Sequence, residues 1–256
     1  MTSITMVVVM VCLLGVGLAT FVKLRKVHLM LYAMQTQSQQ DLLTNYRQQE
    51  LLHGLYVDLG LTKSLPGTRD WAASPDFLTE LMRHALSARP RTVVECSSGT
   101  STVVLARCMQ MNGGGKVYSL EHDPVYAQQT RAHLACHGLS EFAEVIDAPL
   151  KPQTFGGASW TWYATDGLPA ALQIDMIAID GPPRTTGPQA RYPAGPALFP
   201  KLAQRAAVFL DDADRPDETA ILQRWAREFP ALAQSKRFCE KGCAVLASDV
   251  RAQAAA

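Results

Sequence analysis

The sequence carries almost no surplus of charge: 24 lysines and arginines stand against 23 acids. A basic footprint for nucleic acid is therefore missing, and no block of like charge marks a disordered tail. Six cysteines (Cys12, Cys96, Cys108, Cys136, Cys239 and Cys243) include no C-x-x-C pair. Cys239 and Cys243 lie close together but have no further Cys or His at zinc spacing, so reduced, mostly buried thiols of a cytosolic domain are expected. No charged side chain precedes the first apolar run, which removes the basic start of a signal peptide. Glycine is scarce where a dinucleotide site would need three: the turn after Glu95 has only Gly99.

What is present begins with Ile4 to Val22, almost unbroken apolar sequence. At about 1.5 Å per residue it is long enough for a hydrocarbon core of about 30 Å. Lys23, Arg25 and Lys26 follow at once, and the positive-inside rule then puts the N-terminus outside and the rest of the chain in the cytoplasm. Residues 1–26 are expected to be a single-pass membrane anchor. Residues 27–64 read as a helical spacer with broken apolar periodicity at Val27, Leu31, Met34, Leu42, Leu51, Leu52 and Leu55. A short coiled coil that makes a homodimer and a spacer lying on the domain are both open. Leu65-Pro66-Gly67-Thr68 marks the boundary of a domain over 65–256.

Within that domain short β-branched strands alternate with helices. Strands are expected at Thr92–Glu95, Lys116–Leu120, Ala143–Ile146, Ile174–Ile179 and Ala206–Leu210. Helices are expected from Pro75 to about Ser87, Ser101 to Met111, Pro124 to about His137 and Pro216 to Glu228. A terminal hairpin pairs Lys236–Cys239 with Cys243–Leu246. The fold class is α/β: a Rossmann-like three-layer sandwich whose seven-stranded sheet is mostly parallel, preceded by a transmembrane helix. Ser159–Tyr163 and Gly181–Gly187, continuing to Tyr192, read as loops. Each parallel strand ends at an acid: Glu95, Glu121, Asp147, Asp180, then Asp211 and Asp212. Ligands bind along that edge of open α/β sheets.

Thr92–Asp123 carries the most chemistry. A strand, a small-residue turn (Cys96, Ser97, Ser98, Gly99), a helix and a second strand ending in Glu121 make a nucleoside-binding βαβ unit. Glu121 can accept hydrogen bonds from both ribose hydroxyls. An acid at Glu95 would repel a pyrophosphate and suits a cationic ligand such as a sulfonium. Here the sequence resembles the class I S-adenosylmethionine-dependent methyltransferases, and within them the bacterial enzymes related to the catechol O-methyltransferase group. Their first motif is close to E-x-G-x-G-x-S, and an acid follows their second strand. The resemblance covers roughly Trp71 to Leu246, with Ser97 in place of the first turn glycine.

The resemblance implies S-adenosylmethionine as cofactor. The methionine part would lie on Cys96, Ser97, Ser98, Gly99 and Ser101, and Glu95 would reach the donor's amino group through water or orient the loop. The ribose would lie on Glu121, with Asp147 and Ala148 at the adenine edge. His122 would lie on the adenine face or be a solvated loop histidine. Asp180, Asp211 and Asp212 match the family's Mg²⁺ ligands, with Asp180 as the catalytic candidate. The alternative is that Asp180 orients the acceptor without metal while Asp211 and Asp212 cap the next helix. The family's catalytic lysine would fall near Pro183 and is missing, and Arg184 stays protonated. Arg184 and Arg191 could bind an acidic acceptor, or merely an acid such as Asp214. The expected activity is methyl transfer, implied to go to an oxygen of a small or lipid-linked acceptor. A non-catalytic nucleoside-binding scaffold and an NAD-dependent oxidoreductase are the alternatives; missing glycines and the lack of a Tyr-x-x-x-Lys pair weigh against the second.

Overall fold

The computed structural model describes residues 2–68 and 71–248. Helix α1 runs without interruption from Thr2 to Asp58. Its residues up to Arg47 form one compact unit and the chain from Gln48 another. In the first unit Ile4, Leu13, Leu14, Leu18 and Phe21 are all exposed. By length and composition this is one helix able to cross a membrane.

The second unit starts with the last turns of α1. Leu55 and Leu59 are 1% and 0% exposed and pack with Phe77, Leu81 and Met109. Gln48 Nε2 donates to Asp76 Oδ2 at 2.7 Å. Then follow α2 (Pro75–Ala88), β1 (Thr92–Cys96), α3 (Thr100–Met111), β2 (Lys116–Glu121), α4 (Pro124–His137) and β3 (Ala143–Asp147). A two-stranded sheet of β4 (Leu150–Phe155) and β5 (Ala158–Tyr163) comes next. β6 (Ile174–Ile179), α5 (Ala194–Leu198), β7 (Leu202–Asp211), α6 (Pro216–Glu228), β8 (Ala233–Arg237) and β9 (Cys243–Ala247) complete the chain. The main sheet has seven strands in the order β3-β2-β1-β6-β7-β9-β8. Strands β3 to β7 in that order are parallel, and β9 runs antiparallel to both its neighbours.

Alternation along the strands divides the core into two layers. Val93, Val117, Ala178, Phe209 and Val245 face α2, α3 and the end of α1. Val94, Leu120, Ile177, Val208 and Leu246 face α5, α6 and Trp225. The expected three-layer sandwich is therefore present, with its terminal hairpin. One expectation is corrected: Ser159–Tyr163 is not a loop but strand β5, paired with β4 across Gly156-Gly157. Both glycines have positive φ, +58° and +78°, which suits a two-residue hairpin turn. Of the two tryptophans in that segment, Trp162 is fully buried, and Trp160 packs tilted against Tyr192 with ring centroids 4.6 Å apart.

Candidate functional site

The strand order reverses direction between β1 and β6, and the two strands are locked there: Asp180 N–H donates to Cys96 O at 3.2 Å. Such a switch point is where open α/β sheets leave a crevice for ligand. The turn after β1 opens that crevice. Ser97 takes φ +119° and Gly99 φ +142°, conformations a side chain rarely adopts, so the serine at 97 sits in a strained turn. Gly99 N–H donates to Thr102 Oγ1 at 3.0 Å, and α3 starts from there.

Glu95 lies beneath the turn. It shares the face of Val93, so its side chain meets α3 and not the open edge. Its Oε2 accepts from Thr102 Oγ1 and Ser119 Oγ, both at 2.6 Å, and it is 1% exposed. Burial raises its pKa to about 7 against the pull of Ser101, Ser119 and Thr102, and the charge of Asp180 adds to the rise. Of the two roles expected for Glu95, these bonds are those of a residue that orients the loop. Burial likewise pushes the Cys96 thiol far up, so it stays protonated.

Glu121 ends β2 beside the turn. Ser98 Oγ donates to its Oε2 at 2.8 Å, while its Oε1 accepts from the N–H groups of His122 and Asp123 at 2.8 and 3.0 Å. The carboxylate is thus fixed in orientation before any ligand arrives. His122 is half-buried, with Nδ1 3.1 Å from Glu121 Oε1 and its ring 6.0 Å from that of Tyr163. Ala148 N–H donates to Glu121 O at 2.6 Å, which ties the ends of β2 and β3 together. The Asp147 side chain is exposed and pairs with Arg131 at 2.8 Å. The residues expected for the donor therefore gather at the ends of β1, β2 and β3, except that Glu95 lies underneath and Asp147 points at α4.

Tyr163, at the end of β5, reaches the switch point. A Cβ added to Gly181 would come within 2.3 Å of its hydroxyl and 3.2 Å of both Cys96 O and Ser97 Cβ, so glycine is required there. The hydroxyl is buried and has no hydrogen-bond partner among the described residues. Burial raises its pKa, and it can only donate or accept as a neutral phenol. In the sequence Tyr163 only closes the expected Ser159–Tyr163 loop, and nothing local singles out this hydroxyl.

The second cluster lies at the ends of β6 and β7. Asp180, Asp211 and Asp212 each offer an oxygen within 4.8 Å of the others. Consecutive strand residues point to opposite faces, but Asp212 turns into the left-handed region at φ +57°, which ends the strand and brings it beside Asp211. Burial raises the Asp211 pKa well above the usual range, and neighbouring Asp180 and Asp212 raise it further. Burial also raises that of Asp180, opposed by Arg191. The helix-capping alternative for Asp211 and Asp212 is corrected: the N-cap of α6 is Arg215, with no side-chain cap.

Arg191 stands inside this cluster, 5% exposed at its side chain. Its Nη2 donates to Asp180 O, Asp180 Oδ1 and Asp212 Oδ2 at 2.6, 3.2 and 2.9 Å, and its Nη1 donates to Asp211 O at 2.9 Å. Its Nε is 3.8 Å from Glu218 Oε1. Burial works against its charge, but Asp180, Asp212, Asp211 and Glu218 outweigh that and hold its pKa above the ordinary value. Asp214, the partner the sequence suggested for it, pairs instead with Lys236 at 2.9 Å. Arg184 is exposed in a 3-10 turn over Arg184–Thr186.

Residues 94–213 match the methyltransferase domain family Methyltransf_24. The fold is similar to that of a caffeoyl-CoA O-methyltransferase homologue from Staphylococcus aureus, at 12% identity and TM-score 0.53, over 81% of this chain and 100% of that one. It is similar also to the SAH-bound methyltransferase PaMTH1 of Podospora anserina, at 12% identity and TM-score 0.52, over 77% of this chain and 86% of that one. No curated protein matches by sequence. Residues 94–213 are thus a methyltransferase domain, set in a β3-β2-β1-β6-β7-β9-β8 sheet with the fold of these neighbours.

Proposed function

We propose that the protein moves a methyl group from S-adenosylmethionine to an oxygen of a small or lipid-linked acceptor, from a domain held at a membrane by α1 and facing the cytoplasm. The observation that carries the donor half is Glu121: a buried carboxylate, pre-oriented by Ser98 and two backbone N–H groups, at the end of β2 beside the strained 97–99 turn. In this reading Cys96, Ser97, Ser98, Gly99 and Ser101 line the methionine part, Glu121 holds the ribose, and His122 and Ala148 flank the adenine. Glu95 props the turn, and Asp147 borders the adenine edge from outside. O-methylation is supported by the acid cluster beyond the switch point, where an acceptor hydroxyl would meet Asp180. The reaction is an in-line displacement. The oxygen's lone pair forms the new O–CH₃ bond, the S–CH₃ bond breaks onto sulfur, and the hydroxyl proton goes to a carboxylate or water. Holding both partners at the switch point can supply about 7–11 kcal/mol of the barrier.

Mg²⁺ assistance is a second reading. The buried oxygens Asp211 Oδ1 and Asp212 Oδ1 have no hydrogen-bond partner among the described residues, and three carboxylates suit a hard cation. Asp180, Asp211 and Asp212 would hold the ion, which when bound supplies orientation of acceptor oxygens and a lower hydroxyl pKa.

Titration calorimetry of the full-length chain in detergent is expected to show binding of S-adenosylmethionine and its demethylated product, and none of NAD. Tight NAD binding without the other two would overturn the donor assignment. Glu121→Ala is expected to weaken donor binding by about 1.5–3 kcal/mol, the worth of charged hydrogen bonds, and unchanged affinity would place the ribose elsewhere. Tyr163→Phe loses no bond within the protein, so its Tm is expected to hold or rise. A fall in donor or acceptor affinity in that variant would show that the hydroxyl meets ligand.

A further inference from the structure

We propose that Arg191 is the resident cation of the Asp180–Asp211–Asp212 cluster: its guanidinium neutralises the carboxylates that a divalent ion would otherwise hold, so the domain assembles metal-free and an ion enters only in competition with it. The inference bears on the metal reading above and does not depend on where the donor binds.

The geometry favours this over an incidental ion pair. Arg191 reaches all three acids at once, through the side chains of Asp180 and Asp212 and through the backbone carbonyls of Asp180 and Asp211. Those two carbonyls cap the ends of β6 and β7, so the guanidinium also fixes the spacing of the two strands. It comes from the segment just before α5, where Tyr192 is anchored: Trp225 Nε1 donates to Tyr192 O at 3.1 Å, and a Cβ on Gly195 would meet the Trp225 ring at 2.3 Å. The arginine stem is thus delivered by packed backbone. A planar fork with several donors suits this multiple contact, where a lysine would offer one compact charge. Asp212 Oδ2 is further occupied by Arg215 Nη1 at 2.7 Å.

The oxygens left over are Asp211 Oδ1 and Asp212 Oδ1. A divalent ion on them would stand beside a buried positive charge already sharing two of the three carboxylates. Repulsion between like charges in a partly desolvated site is strong, so the ion must shift the guanidinium or bind weakly. Loss of the arginine side chain should convert the same acids into an open cation site.

The test is Mn²⁺ titration of the full-length protein in detergent, followed by electron paramagnetic resonance, with thermal melting in parallel. For the wild-type protein the Tm is expected to be the same in EDTA and in Mn²⁺. R191M should bind Mn²⁺ at least about tenfold more tightly than wild type, as removal of an adjacent charge predicts. Its Tm should lie below that of wild type and rise with Mn²⁺ by about 3 °C or more. D211N in the R191M background should lose the gain. If EDTA lowers the wild-type Tm, or if folded R191M binds Mn²⁺ less than tenfold more tightly, the proposal is overturned. Should R191M fold neither with nor without Mn²⁺, R191K is read instead. A lysine cannot bridge two carboxylates and two carbonyls, so Mn²⁺ should raise its Tm, and an unmoved Tm overturns the proposal. Donor calorimetry on the same samples reports separately on the methyltransferase reading.

Discussion

A chain shortened to begin at Leu65 is expected to melt well below one that begins at Gln48. The reason is that the last turns of α1 belong to the core of the second unit. Leu55 and Leu59 are 1% and 0% exposed against Phe77, Leu81 and Met109. Loss of a buried leucine side chain costs about 2–5 kcal/mol, so removal of both costs about 4 kcal/mol or more. That is a large part of the roughly 5–15 kcal/mol that holds a domain folded. Polar contacts go as well: Gln48 binds Asp76 from both its amide atoms, and Arg107 Nε loses Leu59 O, its acceptor at 2.9 Å. At about 2–4 °C per kcal/mol for a domain of this size, the Leu65 chain should melt about 8–16 °C lower. Differential scanning calorimetry of the two soluble chains decides it. Equal melting temperatures would mean that the helix end is a passive cover.

That helix end also shows what the sequence could and could not say. Leu51, Leu52 and Leu55 read as broken helical periodicity, because Gln48, Gln49 and Glu50 before them and His53 and Gly54 among them hide a face that is apolar only in three dimensions. The parallel strands were legible because each is a short β-branched run closed by an acid, and the structure extends them by a few residues at most. The β4–β5 hairpin was not legible by alternation. Lys151, Pro152 and Gln153 fill β4, and proline is admitted there because the pair is a two-stranded ribbon with open edges. Its one signal was Gly156-Gly157, a two-residue hairpin turn.

The site divides in the same way. That acids would line one rim follows from where the strands end, but which of them faces ligand depends on pleat and burial. Glu95 and Cys96 are neighbours in sequence and face opposite layers. Arg191 is eleven positions beyond Asp180 in a segment of irregular backbone, and nothing local marks it as buried. The available hint was electrostatic. Acids at the ends of two adjacent central strands need a cation, and the loop after Asp180 has no lysine to supply it.

Glu95→Gln is expected to stabilise the protein at pH 8 and to change little at pH 5. The folded-state pKa of Glu95 is raised to about 7 from 4.5, chiefly by burial. Below about pH 4.5 both the folded and the unfolded chain hold the proton, and no penalty applies. Between the two values the folded chain keeps a proton that the unfolded chain has released, so stability falls as pH rises. Above about pH 7 the full cost of a buried carboxylate is present, roughly 3 kcal/mol for a shift of this size. Glutamine keeps an oxygen for Thr102 Oγ1 and Ser119 Oγ, and it never ionises. Asp180 and Asp211 are also raised and add to the wild-type slope, so the informative quantity is the difference between variant and wild type. That difference should open between about pH 5 and 7 and reach about 2–3 kcal/mol at pH 8 in denaturant melts. A variant less stable than wild type at pH 8 would mean that the ionised carboxylate is well solvated or paired, and that Glu95 faces the ligand crevice and not the underside of the turn.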